Sequence, residues 1–318
     1  MTGSPTTEVL TADRLNAAPP SLSAAEPMTI AVVIPTLGRA VTVRKTIERL
    51  KRQSRPPDRV LAVGVSPADI AGLEDAAVHV ETYLAPIGSC SQRNHALDRV
   101  AGDCDLIFFL DDDFLLADNY LELAERLFRE YPDIVGANGR VLADGVNGPG
   151  LAFEEAEAIL AADTTTPPYA GPTRTKDALY GCNMMVRASA IGDVRFDETL
   201  PLYGWQEDID FTFRVAARGR LVGCRAMSGV HMGEKRGRTS GKRFGYSQIA
   251  NPIYLLRKAS MPRDLAWKNM RNNLAANVWK SLRPEAYIDR RGRLLGNLIA
   301  FRDLMLGKID PRRILEMK

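Results

Sequence analysis

The chain has 318 residues, 45% hydrophobic and 25% charged, an ordinary balance for a globular protein long enough to bury a large core in one domain with an appendage. Its net charge of +3 is unevenly spread: residues 234–318 hold 20 Lys and Arg against 7 Asp and Glu, a balance of +13, which leaves −10 on the residues before them. The four cysteines (Cys90, Cys104, Cys182 and Cys224) form no CxxC pair, which argues against a zinc knuckle or disulfide framework and suits a reducing cytoplasm, and no apolar run is long enough to span a bilayer.

Residues 1–27 are rich in Thr, Ala, Ser and Pro, lack the apolar segment of a secretory signal, and read as a disordered leader. Order is expected to begin near Met28. The apolar run 29–35 ends at Pro35 and reads as a strand buried on both faces. A turn at 36–39 leads into a helix over 41–53, with Val43, Ile47 and Leu50 at helical spacing. Strands are expected at 59–65 and 78–83, a helix at 91–100, and a buried strand at 105–110 that runs straight into Asp111. A helix over 119–131 follows Asp118, read as its N-cap, and a strand follows at 134–142. Residues 145–175 are loop-rich, with a short helix near 153–161. A strand at 179–187, a loop and helix over 204–219, and a strand at 221–226 lead to His231. Helices at 249–258, 265–282 and 294–305 complete the chain.

Strands alternating with helices predict an α/β fold, a Rossmann-like, mostly parallel sheet flanked by helices, followed by a basic helical region over 242–318. Ligands of such sheets bind beyond the carboxyl ends of the strands. Gly38 and Asp111 both fall on that edge.

Asp111-Asp112-Asp113 is the strongest local signal. Three adjacent carboxylates repel one another, and a buried strand ending in them calls for a cation; Mg2+ or Mn2+ prefers such oxygen ligands. The alternative is a solvated Asp-rich turn. Glu207 and Asp208 precede a helix. They read either as first-turn residues that favour its dipole or as a carboxylate pair for proton transfer, with Trp205 as an apolar wall. His231 opens a Gly-rich basic stretch. A neutral imidazole there can complete a metal site, and Lys235, Arg236 and Arg238 can clamp a diphosphate unless they form only a basic surface loop. Arg93 offers a contact to a base or phosphate, or else lies on a helix surface.

The ordered set Val32-Val-Ile-Pro-Thr36, Gln92-Arg93-Asn94, Phe109-Leu-Asp-Asp-Asp113, Gly181-Cys-Asn-Met-Met-Val-Arg187, Gly204-Trp-Gln-Glu-Asp-Ile-Asp210 and His231 resembles the family 2 glycosyltransferases of GT-A fold, over about residues 29–241. The resemblance implies an inverting transfer from a nucleoside-diphosphate sugar, UDP or dTDP favoured, to a glycan or lipid-linked acceptor in polysaccharide biosynthesis. It divides residues 28–241 into a nucleotide-sugar half, 28–142, and an acceptor half, 143–241. It implies Asp208 as base with Glu207 in support, and Asp111, Asp113 and His231 as metal ligands. Pro35, Thr36, Gly38, Arg39, Asp111 and Asp112 fall at the donor, and Asn183 and Trp205 at the acceptor. Relatives place an aspartate after the second strand to read a pyrimidine; here Ser66 stands near that place and Asp69 is displaced, so the base stays open.

Two rivals remain. A nucleotidyltransferase would want a Gly-rich loop after the first strand, and Thr36-Leu-Gly-Arg39 has one glycine. A non-catalytic sugar or nucleic-acid binder leaves Asp111, Asp113, Asp208 and His231 unexplained, and nucleic acid is the less favoured partner. The basic C-terminal helices suit a peripheral contact with the inner face of a membrane, packing on the body, or a homo-oligomer contact.

Overall fold

The computed structural model describes residues 26–76, 79–100, 102–235 and 240–317. Residues 1–25 of the expected leader therefore lie outside the described residues.

The first half is built as its apolar runs dictate. Strand β1 (Ile30–Pro35) is flanked in parallel by β2 (Arg59–Gly64) and β4 (Leu106–Leu110), and β3 (Glu81–Leu84) pairs in parallel with β2. Helix α1 (Ala40–Leu50) buries Val43, Ile47 and Leu50, and α2 (Ser89–Val100) follows β3. Alternate residues of β4 serve opposite faces: Phe108 joins the core layer under α1, and Phe109 the layer under α2. Each such fully buried ring contributes about 2 kcal/mol by removal from water.

Beyond β4 the sheet turns mixed, in the order β3-β2-β1-β4-β8-β6-β9-β5. Strand β8 (Asn183–Arg187) runs antiparallel to both β4 and β6 (Ile134–Asp144), while β9 (Arg220–His231) is parallel to β6. Two short strands escape a reading by periodicity: β5 (Phe114–Leu116), antiparallel to the end of β9, and β7 (Arg174–Thr175). Strand β8 is shorter than expected, because residues 179–182 form the approach to the strand instead. Strand β9 is longer, and carries the chain without a break to His231.

Helix α3 (Tyr120–Glu130) is capped at Asn119 with no side-chain cap bond. Asp118 is thus not the N-cap; its carboxylate pairs with Arg49 at 2.9 Å and Arg52 at 3.2 Å. Helices α4 (Phe153–Ala161), α5 (Ala188–Ile191) and α6 (Glu207–Val215) fill the second half. Helices α7 (Gly241–Arg257), α8 (Arg263–Ser281) and α9 (Arg290–Met305) pack on one another, and Leu255, Met261 and Ala266 from this region join the same core layer as Phe109. No helix among the described residues is long and apolar enough to cross a membrane.

Candidate active site

Strand register assembles the site. Leu110 on β4 pairs with Asn183, which sets Asp111 beside the 181–182 turn, and the Asp111 amide donates to Cys182 O at 3.1 Å. Phe114 on β5 pairs with His231 at the end of β9, which brings Asp113 to the imidazole. Asp144 at the end of β6 pairs with His231 from the other side. Three strand ends therefore meet at one histidine.

The aspartate triplet is a turn, and its side chains diverge. Asp112 is buried and faces back toward β1. Its Oδ2 accepts from Thr36 Oγ1 at 2.8 Å and its Oδ1 from Arg39 Nη1 at 2.7 Å. Burial pushes its carboxyl well above the usual range, against the pull of Arg39. Asp111 and Asp113 turn toward His231. With one ligand atom from each, the three residues come within 4.8 Å of one another. Nε2 of His231 lies 3.3 Å from Asp113 Oδ1 and 3.9 Å from Asp111 Oδ2. Burial raises the Asp113 carboxyl, but His231 and Arg39 outweigh it and hold that group low.

Behind the imidazole stands Asp144, which sequence reasoning missed. Its Oδ1 is 3.0 Å from His231 Nδ1, and Tyr180 Oη donates to its Oδ2 at 3.2 Å. This leaves Nε2 as the nitrogen that faces Asp111 and Asp113. Burial alone would depress the imidazole; hydrogen bonds with Asp113 and Asp144 and the charges of Asp113 and Asp111 reverse that and bring it to about 10. The signal for Asp144 was available: the strand expected at 134–142 runs on to an aspartate at the same edge as Asp111.

The Glu-Asp pair opens α6, as read from the sequence. Asp208 accepts from the Gly181 amide at Oδ2 and from its neighbour Ile209 at Oδ1, both at 2.8 Å. A Cβ on Gly181 would stand 3.2 Å from Asp208 Cβ, so glycine is what lets the turn approach the carboxylate this closely. Burial raises the Asp208 carboxyl, partly offset by those two amides. The Glu207 carboxyl is pushed by burial to about 8, although Arg93 Nη1 donates to its Oε1. Arg93 is buried, not on a helix surface. Its Nη2 donates to Asp111 Oδ1 at 3.0 Å and to Gly181 O at 3.3 Å, so it bridges the aspartate turn and the Glu-Asp pair. Its two Nη atoms are thereby engaged by protein partners.

A cavity of about 620 Å³ lies over these groups. Pro35, Thr36, Arg39, Arg93, Asp111, Asp112, Trp205, Glu207 and Asp208 all line it. Gly38 adopts φ +67° in the first turn, and its amide donates to Asp69 at 2.6 Å. The other Asp69 oxygen accepts from Val65, Ser66 and the Ser66 hydroxyl, so this carboxylate ties two loops together. Asn183 needs correction: expected at the acceptor, it is fully buried within β8, where its Oδ1 accepts from Asn138 at 2.8 Å. The parts of that motif which reach the cavity are Gly181 and Cys182. Lys235, expected at a diphosphate, donates to Gly145 O and Val146 O at 3.0 Å. Arg236 and Arg238 lie outside the described residues. The segment between His231 and Lys235 is stitched down: Glu234 N donates to Asp113 Oδ2 at 2.7 Å, and Glu234 O accepts from Arg39 at 3.1 Å.

No curated protein sequence matches the chain. Solved structures share its fold at low identity. Staphylococcus aureus TarS is 16% identical with a TM-score of 0.52 over 81% of this chain; the chain spans 46% of that protein, about half its length. The TarS 1–349 fragment in complex with UDP-GlcNAc gives 16% and 0.54, covering 90% of this chain and 83% of the fragment. The mannosyltransferase PcManGT from Pyrobaculum calidifontis, in complex with GDP-Man and Mn2+, gives 13% and 0.53, covering 94% and 88%. The family profile "Glycosyl transferase family 2" matches residues 31–194, which is 164 of the 318 residues and includes β1, the aspartate turn and Gly181. More than half of the sequence thus carries that profile on the matching fold, and the chain belongs to glycosyl transferase family 2.

Proposed function

We propose that the protein is a metal-dependent, inverting glycosyltransferase. It moves a sugar from a nucleoside-diphosphate donor, UDP or dTDP favoured, to a hydroxyl of a glycan or lipid-linked acceptor in polysaccharide assembly. The observation that carries this reading is the convergence of Asp111, Asp113 and His231 beside the cavity that Asp208 lines. The neighbours with UDP-GlcNAc and with GDP-Man and Mn2+ support a nucleotide-sugar donor and a cation on this fold, and their differing bases leave the choice of base to experiment.

The donor set suits Mn2+ or Mg2+: two carboxylates and one imidazole whose second nitrogen is already held by Asp144. Bound there, the cation supplies Lewis-acid neutralisation of charge on the departing diphosphate. The rest falls to the chain. Asp208, in its partly desolvated place, accepts the acceptor hydroxyl's proton as that oxygen bonds to the anomeric carbon and the sugar–phosphate bond breaks on the opposite face. The rise in its carboxyl makes it a better base than a solvated aspartate. Arg93 holds Glu207 and Asp111 in fixed relation, so that base and cation ligands form one rigid unit. Thr36, Arg39 and Asp112 form the floor at the donor end.

The C-terminal helices support a peripheral membrane contact as part of this reading. Trp267, Trp279 and Leu282 on or just past α8, and Leu298 and Met305 on α9, are exposed, with Lys268, Arg271 and Arg302 among them. Exposed aromatic and basic residues on these helices suit an anionic interface.

The test is calorimetric titration with UDP, dTDP and GDP, with and without Mn2+. Metal-dependent binding of one of them is expected. Binding of none would refute the proposal.

A further inference from the structure

One wall of the cavity takes no part in the chemistry above. It comes from α8, where Asn269, Asn272 and Asn273, at i, i+3 and i+4, fall on one face and line the cavity with Tyr203 and Trp205. Asn269 and Asn272 make no side-chain hydrogen bond among the described residues. Asn273 makes one, and its origin is informative. Its Oδ1 accepts from Gln248 Nε2 at 2.9 Å, and Gln248 Oε1 accepts from Asn277 Nδ2 at 2.8 Å. Asn277 in turn donates to Asn297 Oδ1 at 2.9 Å, and Asn297 Nδ2 donates to Gly245 O at 2.6 Å.

Gln248, Asn277 and Asn297 are at most 1% exposed. Burying three amides between helices is costly unless all are satisfied, and apolar residues would fill the space more simply. The chain that results fixes the Asn273 amide: its oxygen is used inward, and its NH2 remains as a donor at the cavity wall. Asn269 and Asn272 add two complete amides, each able to donate and accept. Beside them, Gln206 sits at φ +72°, left-handed for a non-glycine residue, with both amide atoms buried and unpartnered. Such a residue is destabilising where it stands, next to Glu207 and Asp208, which marks this rim as built for something other than stability.

We propose that this wall is the acceptor subsite and that it takes an uncharged saccharide residue, with the amides of Asn269, Asn272 and Asn273 reading its hydroxyls and Trp205 against its apolar ring face. Hydroxyls donate and accept, as amides do, and C–H-rich sugar faces suit an indole. A phosphate would call for guanidinium or ammonium groups; Arg243, which also lines the cavity, gives its Nε to Met317 O at 2.7 Å, while the α8 face itself offers three amides. The inference rests on the transferase reading, and it gives the C-terminal helices a part in acceptor choice.

The probe is a panel of methyl glycosides of glucose, galactose, mannose and N-acetylglucosamine, added to the full chain with Mn2+ and the nucleoside diphosphate chosen by the donor titration. Saturation-transfer NMR reads their binding. At least one glycoside should receive saturation from the native protein, and its affinity should fall at least tenfold in the Asn269→Ala, Asn272→Ala, Asn273→Ala triple variant. Asn273→Asp, which replaces the NH2 donor with an acceptor, should lose binding as a single change. Nucleoside-diphosphate affinity should stay within about twofold in both, which also shows that they fold. Silence of every glycoside with the native protein, or undiminished binding in the triple variant, would overturn the subsite. So would a selective loss of UDP-N-acetylglucosamine affinity relative to UDP, which would assign the wall to the donor sugar. Failure of nucleoside diphosphates to bind at all is a different result, and it refutes the transferase reading instead.

Discussion

Asp144 gives the sharpest test of the cation site, because it touches none of the reacting atoms. Its Oδ1 is 3.0 Å from His231 Nδ1, and the same oxygen accepts from Val146 N at 3.1 Å, while Oδ2 takes the Tyr180 hydroxyl. In Asp144→Asn the carbonyl oxygen can keep both contacts on its side and the NH2 can meet Tyr180 Oη, so only the charge is lost. In Asp144→Ala the imidazole loses its partner and its fixed orientation. Removing such a supporting group typically costs about 10- to 100-fold in metal affinity. The isosteric change belongs at the low end, about 1.4 kcal/mol, and the truncation at the high end, about 2.8 kcal/mol. Mn2+ titration followed by electron paramagnetic resonance, with and without nucleoside diphosphate, should give the order Asp, Asn, Ala. Asp144→Ala should also melt lower than the native apo protein, because the buried imidazole and Val146 N lose a partner, so affinities are compared well below both melting temperatures. Native-like Mn2+ affinity in Asp144→Ala would refute the reasoning. So would loss of affinity that only tracks loss of fold.

Asp208→Asn should leave nucleoside-diphosphate affinity within about twofold and lower turnover at least about 100-fold, read as nucleoside-diphosphate release; surviving transfer would remove Asp208 as the base. Gly181→Ala should displace that carboxylate, because its Cβ would meet Asp208 Oδ2 at 3.3 Å; turnover should drop about 100-fold with Mn2+ affinity unchanged. Burial raises Asp197, but hydrogen bonds from Lys258 and Tyr254 prevail and hold it at about 2, below its ordinary 3.8. Its stabilisation is therefore complete above about pH 4 and is lost as pH falls toward 2; Asp197→Asn should cost about 2 kcal/mol at neutral pH and flatten that acid limb in urea titrations. Vesicles of phosphatidylglycerol should sediment the protein at low salt while phosphatidylcholine vesicles do not, with a blue shift in tryptophan emission lost in Trp267→Ala, Trp279→Ala; sedimentation with neither lipid would rule out the membrane contact.

The parallel half of the fold was legible because its strands are continuous apolar runs: 29–35 and 105–110 could be little else once ended by Pro35 and Asp111. The second half was less so, since its topology depends on long-range pairing. The three residues of β5 are too few to show a period, yet their register with β9 is what brings Asp113 to His231. Spacing also could not say which residue of a motif faces the cavity. Asn183 looked like the polar member of its motif available to a ligand, but its register opposite Leu110 places it inside the sheet, and the glycine two positions earlier makes the contact with Asp208. Arg93 looked like a free cation and is a buried bridge. Asp118 looked like a cap and is an ion-pair partner, because Arg49 and Arg52 both reach it from α1 and the turn after it.

The aspartate turn shows how local sequence and distant packing divide the work. Read alone, three consecutive carboxylates after a buried strand demand a cation. In the folded chain each has already been given one by a different element: Arg93 from α2 for Asp111, Arg39 before α1 for Asp112, and His231 from β9 for Asp113. The repulsion is therefore met largely within the protein, and the need for a metal does not follow from repulsion itself. What points to a metal is the pattern of commitment. Asp112 spends both oxygens on Thr36 and Arg39. Asp111 gives one oxygen to Arg93 and turns the other toward the imidazole, and Asp113 uses one on Glu234 N and likewise turns the other. His231 has its Nδ1 fixed by Asp144 and aims Nε2 at the same spot. One oxygen from each outer aspartate and one nitrogen are thus left facing a common point, while the middle aspartate is withdrawn to hold the turn after β1. A turn serves this division because successive side chains diverge, whereas a strand would have put Asp111 and Asp113 on one face and Asp112 on the other with no partner for it.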